Sequence, residues 1–229
     1  MTQINNESDL YNIHNLCIDA KSRELYLHSS FDSEEESGVE FRSAIMFEKN
    51  VRYLNQISHD PILVHMHLPG GDWQDCMGIV DTITTSHSKI FILAYGKVES
   101  ASSILFQAAH LRVLMPNTHM LIHYGSLSIE DEHRAAKSSF EWSEKESLKM
   151  INMFSERCIG SPIAKERNWK KHIIKKHIMS QLDNKSDWIL NADESVYYGF
   201  ADGVLGDRKF PTIDKLKNKI NLKEKKLSK

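Results

Sequence analysis

An α/β fold with parallel strands is what this sequence predicts, and three observations predict it. Apolar, β-rich runs occur at Ile62–Leu68, at 89–94 and at 120–123. Each is separated from the next by segments with apolar residues at helical spacing. The strands recur roughly 20 to 30 residues apart, which is the rhythm of crossover units that return each strand parallel to the last.

The elements follow in order. Residues 1–12 are polar and read as a loose N-terminal segment. Glu24–His28 alternates as a strand does. The acidic stretch at 32–38 reads as a solvated loop that ends by capping the next helix. Phe41, Ile45, Val51, Leu54 and Ile57 place one apolar face on a helix over Phe41–Ile57. Asp60-Pro61 breaks the chain before the strand Ile62–Leu68, which stops at Pro69-Gly70-Gly71. A helix is expected over 72–86 through Met77, Val80 and Ile83, then a strand over 89–94 ending before Gly96. A helix over 102–111, a short strand over 113–115 and a strand over 120–123 come next. The second half changes character. Residues 129–158 form one long, charged helical pattern, and Gly160-Ser161-Pro162 ends it. Residues 163–181 read as a basic helix, Asn191 opens a further one and Gly199 stops it. Seven Lys against one Glu over 215–229 give a solvated tail.

Composition narrows the class. With 41% hydrophobic and 26% charged residues the 229-residue chain is an ordinary globular one, able to bury about 70% of its unfolded surface without staples. Lys plus Arg (29) nearly balances Asp plus Glu (31), so the chain as a whole is no polyanion binder. No apolar run approaches the roughly 18 residues that cross a bilayer, and residues 1–7 carry no basic-then-apolar leader pattern. Cys17, Cys76 and Cys158 are odd in number and widely spaced, so free thiols in a reducing, cytoplasmic setting are expected. Signatures of zincins, zinc ribbons, P-loop ATPases and dinucleotide-binding enzymes are missing, as is Gly-x-Ser-x-Gly. No metal or cofactor is expected.

Four features bear on chemistry. Gly70 and Gly71 close a strand where a backbone without Cβ can present N–H groups to a ligand, or simply turn. The segment 96–103 opens a helix after the next strand; its Ser100, Ser102 and Ser103 either cap that helix or supply a nucleophile at a helix N-terminus. His123 ends an apolar strand, a position usually structural. Asp183 and Asp187 follow a basic helix and are in isolation solvated carboxylates. Together they gain weight, because ligands collect beyond the carboxyl ends of parallel strands. Serine, base, carboxylate and backbone donors are the parts of acyl-transfer catalysis.

At these residues the sequence resembles the proteolytic subunit of the Clp protease (ClpP) family, serine peptidases with a ClpP/crotonase-like fold of repeated ββα units and a projecting helical handle. Leu68-Pro69-Gly70-Gly71 and the stretch 78–83 resemble that family's Ser-Pro-Gly-Gly and Gly-x-x-Ile-Tyr-Asp-Thr. Residues 96–100 fall on Gly-Gln-Ala-Ala-Ser, with Ser100 at the serine. The stretches 115–118 and 120–123 resemble Leu-Pro-Asn-Ser and Met-Ile-His, with His123 at the base. Residues 187–202 resemble the closing Asp-x-Phe-Leu-Ser-Ala-x-Glu-Ala-x-x-Tyr-Gly-x-x-Asp, and four positions back lies Asp183 as the triad acid, with Asp187 as the alternative.

The resemblance implies a catalytic triad of Ser100, His123 and Asp183, with Gly70, Gly71 and Ala101 forming the oxyanion and substrate-binding backbone. It implies a peptidase domain over 13–210 with its handle at 129–158. It also implies a homo-oligomer of stacked sevenfold rings, unfolded polypeptide as substrate and an AAA+ unfoldase of the Clp ATPase type as partner, with no nucleic acid and no membrane. Two departures from the family stand at the nucleophile: Glu99 puts a charge before Ser100, and Ser102 replaces a glycine. A carboxylate aimed at an oxyanion site opposes catalysis. A catalytically silent ring subunit is therefore one alternative, and a ClpP-like phage capsid-maturation protease another. A crotonase-like acyl-CoA enzyme is a third, disfavoured by the ordered Ser, His and Asp motifs.

Overall fold

Period-two alternation along the central strands decides which sheet face meets the helices. The computed structural model describes residues 6–29, 38–126 and 132–216. The first half comprises α1 (Asn6–Leu16), β1 (Ile18–Asp19), β2 (Glu24–His28), α2 (Phe41–Ile57), β3 (Ile62–Leu68), α3 (Trp73–Thr85), β4 (Ile90–Glu99) and α4 (Ala101–Ala108). The second comprises β5 (Leu111–Leu114), β6 (His119–Ile122), α5 (His133–Cys158), α6 (Pro162–Glu166), α7 (Lys171–Lys185), β7 (Trp188–Leu190), α8 (Ala192–Tyr197) and β8 (Gly203–Val204). The sheet runs β1-β2-β3-β4-β5-β8. Strands β2, β3, β4, β5 and β8 are parallel, as the crossover rhythm predicted. Ile62, Val64, Met66 and Leu68 point to the helices and are buried with Ile90, Ile92 and Ala94 of β4. Leu63, Leu93 and Val113 point the other way, into a second, smaller core.

Strand β4 is longer than the sequence suggested and serves two layers. Its first half pairs with β3 and β5, and Lys97–Glu99 leaves to pair with β6, which in turn pairs antiparallel with β7. The turn-over falls at Gly96, whose φ of +60° and whose contact with the His67 ring leave no room for a side chain: a Cβ would stand 2.8 Å from that ring.

Three expectations change. The N-terminal segment is helical from Asn6, with Glu7 and Asp9 in the first turn. It is tied to the body by the Lys21–Asp9 ion pair (2.7 Å) and by Asn50 donating to the Leu16 carbonyl (2.6 Å). The basic helix divides in two at Asn168, whose φ is +50°. The C-terminal tail begins later than residue 211, since Phe210 and Leu216 are buried over Leu63, Leu93 and Val113. Residues 32–37, the start of the long helix expected at 129 and the tail from 217 lie outside the described residues.

The second half is anchored by Arg112 on β5. Its guanidinium grips Asp202 through Nε (3.1 Å) and Nη2 (2.8 Å) and spends Nη1 on Gln107 and the Gly199 carbonyl. Removing one member of a pair this buried strands the other. Arg112→Met is expected to lose about 3 kcal/mol of unfolding free energy, read as a lower urea midpoint.

Candidate active site

The register of the strands assembles the site. In the parallel pair, Lys97, Val98 and Glu99 of β4 lie opposite His119, Met120 and Leu121 of β6, and the Ser100 amide donates to the Leu121 carbonyl (2.9 Å). In the antiparallel pair, Met120, Leu121 and Ile122 lie opposite Leu190, Ile189 and Trp188. The next step of that ladder sets His123 beside Asp187. Ser100 then sits one residue past the end of β4, at the bend into α4.

Ser100 has φ 51° and ψ −126°, a backbone conformation few non-glycine residues adopt, and holding it there costs about 1–3 kcal/mol. The bend is secured on both sides. Ser102 Oγ donates to the Leu68 carbonyl (2.8 Å) and the Glu99 carbonyl (2.7 Å), joining the ends of β3 and β4. Ser103 Oγ donates to the Ser100 carbonyl (2.6 Å), and Cys76 Sγ donates to the Ala101 carbonyl (3.0 Å). Ser102 and Ser103 are fully buried, so of the three serines the sequence left open, Ser100 is the one that meets a base. Its Oγ lies 2.6 Å from His123 Nε2. Burial pushes the Cys76 thiol up to about 12, which removes it as a competing nucleophile.

The structure places the two candidate acids, Asp183 and Asp187, differently with respect to His123. Asp183 does not reach His123: it lies in the last turns of α7 and accepts from the Tyr124 hydroxyl (3.0 Å). Burial, and then this carboxylate, raise the Tyr124 hydroxyl to about 12. Asp187 is the carboxylate at the histidine, its Oδ1 3.4 Å from Nδ1. That is long for a hydrogen bond, though contacts of this kind shorten when substrate binds. Asp183 lies within α7, which continues to Lys185, whereas Asp187 follows that helix directly before β7.

Gly70 and Gly71 close the other wall. Gly70 has φ +115°, and a Cβ there would stand 2.7 Å from Ser100 Cβ. Gly71 pairs with Val39 in a bridge that uses the Gly70 carbonyl (2.6 Å) and the Asp72 amide (2.8 Å), leaving the Gly71 amide out of the pairing. Gly71, Ser100, Ala101 and His123 line one cleft, over which α5 lays Glu146 and Met150.

Glu99 does not enter this cleft. Its Oε1 lies 2.6 Å from His119 Nε2 on the neighbouring strand, on the opposite side of the chain from Ser100. Glu99→Ala is accordingly expected to change peptide turnover by less than about tenfold, or 1.4 kcal/mol of barrier. A rise of a hundredfold in kcat would mean that the charge suppresses the site.

A serine on a strained strand-to-helix bend, with a histidine from the adjoining strand, places the molecule among α/β proteins built for a serine–histidine pair. Comparison with known proteins narrows that class. The family model described as Clp protease matches residues 36–208, and the chain belongs to that family. ATP-dependent Clp protease proteolytic subunit 2 of Pseudomonas aeruginosa is 27% identical over 174 residues, 73% of this chain and 77% of that protein. The protein of the same description from Treponema denticola is 32% identical over 151 residues, 65% of this chain and 68% of its own. A mutant of ClpP1 from Listeria monocytogenes shares the fold with a TM-score of 0.62 at 19% identity, covering 83% of this chain and 95% of that one. The α/β ClpP-like fold is thereby established. Among the described residues no helix is long and apolar enough to cross a membrane.

Proposed function

We propose that this chain is a serine endopeptidase subunit that hydrolyses unfolded polypeptides, with Ser100, His123 and Asp187 as its triad. The carrying observation is the 2.6 Å contact between Ser100 Oγ and His123 Nε2 at the strand ends. Nε2 takes the hydroxyl proton as Oγ attacks the peptide carbonyl, and then returns it to the leaving amine. Asp187 holds the Nδ1 proton and so fixes the tautomer. The amides of Gly71 and Ala101 receive the oxyanion. The pairing of Glu99 with His119 favours this over a silent subunit.

Relatives described as ATP-dependent Clp protease proteolytic subunits support an ATPase partner and a multisubunit assembly, and the family resemblance adds the form proposed here: a closed homo-oligomeric chamber of stacked rings fed by an AAA+ unfoldase. Phe140, Trp142 and Leu148 of α5 are 57%, 55% and 45% exposed, and Ile189 of β7 is 58% exposed, more apolar surface than a solvated handle and edge strand carry. Closed symmetry buries it. Light scattering is expected to give several times the 26.4 kDa of one chain, and a monomer at micromolar concentration would refute the assembly. The function itself is tested by degradation of an unfolded protein such as casein. Slow cleavage alone and faster cleavage with a Clp-type unfoldase and ATP are expected; no cleavage in either case would overturn the reading.

A further inference from the structure

The cleft at Ser100 carries an uneven charge. Among the described residues, its lining includes the carboxylates of Asp72 and Glu146 and neither a lysine nor an arginine. Asp72 is largely spent as the cap of α3, accepting from the amides of Gln74 (2.7 Å) and Asp75 (3.0 Å). Glu146 is differently placed. It comes from the middle of α5, and Gln74 Nε2 (2.9 Å) and Trp142 Nε1 both donate to its Oε1. Two donors from separate elements hold the side chain over the cleft and leave Oε2 outside these bonds. Lys145 and Lys149, on the adjoining positions of α5, do not line the cleft, and Lys145 sits over the Trp142 ring. The field beside the cleft has the same sign. Burial, followed by the neighbouring Asp72 and Glu40, holds the Asp75 carboxyl above its ordinary range.

The rest of the lining combines the hydroxyls of Ser126, Ser143 and Ser147 with an apolar patch. Trp73, Ile104 and Met150 form that patch, the last two almost wholly buried. An apolar patch beside a fixed carboxylate suits a long aliphatic stem ending in a cation. An acidic side chain entering the same cleft meets like charges at reduced dielectric. We infer that Glu146 is a specificity-determining residue and that the cleft prefers substrates with lysine or arginine beside the scissile bond. This rests on the reading of the site as a peptidase.

The test uses the full-length assembled protein and four fluorogenic peptides that differ only in the residue before the scissile bond: Lys, Arg, Leu or Glu. The wild type is expected to favour Lys and Arg over Glu by at least about a hundredfold in kcat/KM, and over Leu by about tenfold. Glu146→Gln keeps the Oε1 acceptor for Gln74 and Trp142 while removing the charge, so it isolates electrostatics from positioning. It should bring the Lys-to-Leu ratio close to one, and Glu146→Lys should turn the preference towards Glu. Equal ratios in the wild type and Glu146→Gln, or a wild-type preference for Leu, would overturn the inference. Labelling of Ser100 by a fluorophosphonate separates the two failures. A labelled enzyme without basic preference contradicts only the role of Glu146, whereas an unlabelled protein that cleaves none of the peptides contradicts the peptidase reading and the inference with it.

Discussion

Replacing Ser100 by alanine is expected to lower peptide turnover by at least about ten-thousand-fold, or 5.4 kcal/mol of barrier, while leaving the assembled mass unchanged. The size follows from the role. Oγ is the atom that forms the acyl bond, and neither neighbouring serine of the segment can take its place, since Ser102 and Ser103 are buried and donate to backbone carbonyls. Alanine keeps the Cβ, so the strained backbone at φ 51° and the tight contact with Gly70 are unchanged. Loss of activity then reports chemistry and not a rebuilt bend. Turnover within tenfold of the wild type, measured on a short fluorogenic peptide, would remove Ser100 from the mechanism.

The second large effect separates the two carboxylates. Asp187→Ala should reduce kcat by about a hundredfold to ten-thousand-fold, because the imidazolium formed at His123 loses its counter-charge and Nδ1 loses its orienting partner. Asp183→Ala should cost less than about tenfold, since it only frees the Tyr124 hydroxyl. Steady-state kinetics of the two variants side by side checks this. The opposite ranking would mean that α7 rearranges in the assembled enzyme to bring Asp183 to the histidine.

These two predictions also mark where the sequence stopped being informative. The strand Ile62–Leu68 and the helix Phe41–Ile57 were readable to the residue, because their signals are local: an apolar, β-rich run interrupted only by His65 and His67, a periodic face and breakers at Asp60-Pro61 and Pro69-Gly70. Ser100 and His123 were legible because the family motifs pick them out, Ser100 in the segment that opens a helix and His123 at the end of an apolar strand. The acid was not. What sets Asp187 beside His123 is the antiparallel pairing of 120–122 with 188–190, a contact between segments nearly seventy residues apart. The trace it leaves in sequence is slight, an aspartate just before the short apolar run Trp188-Ile189-Leu190. The helical N-terminus was missed because polar residues hide a helix that is held to the body by polar contacts such as Lys21–Asp9 and Asn50–Leu16. The division at Asn168 was missed because a left-handed asparagine has no periodic signature.

Glu99 shows the reverse case, a residue whose sequence context misleads. Beside a nucleophile, a carboxylate suggests suppression. In the fold it belongs to the β4–β6 pairing, where His119 lies two positions before its direct partner Leu121. The charge is absorbed on the far side of the strand from Ser100.

The most direct test of the central claim is covalent. The purified, assembled protein is treated with a fluorophosphonate, digested and mapped by mass spectrometry. A single adduct on the Ser100 hydroxyl, lost in His123→Ala, is the predicted result. An adduct on Ser102 or Ser103, or no adduct on a correctly assembled protein, would contradict it.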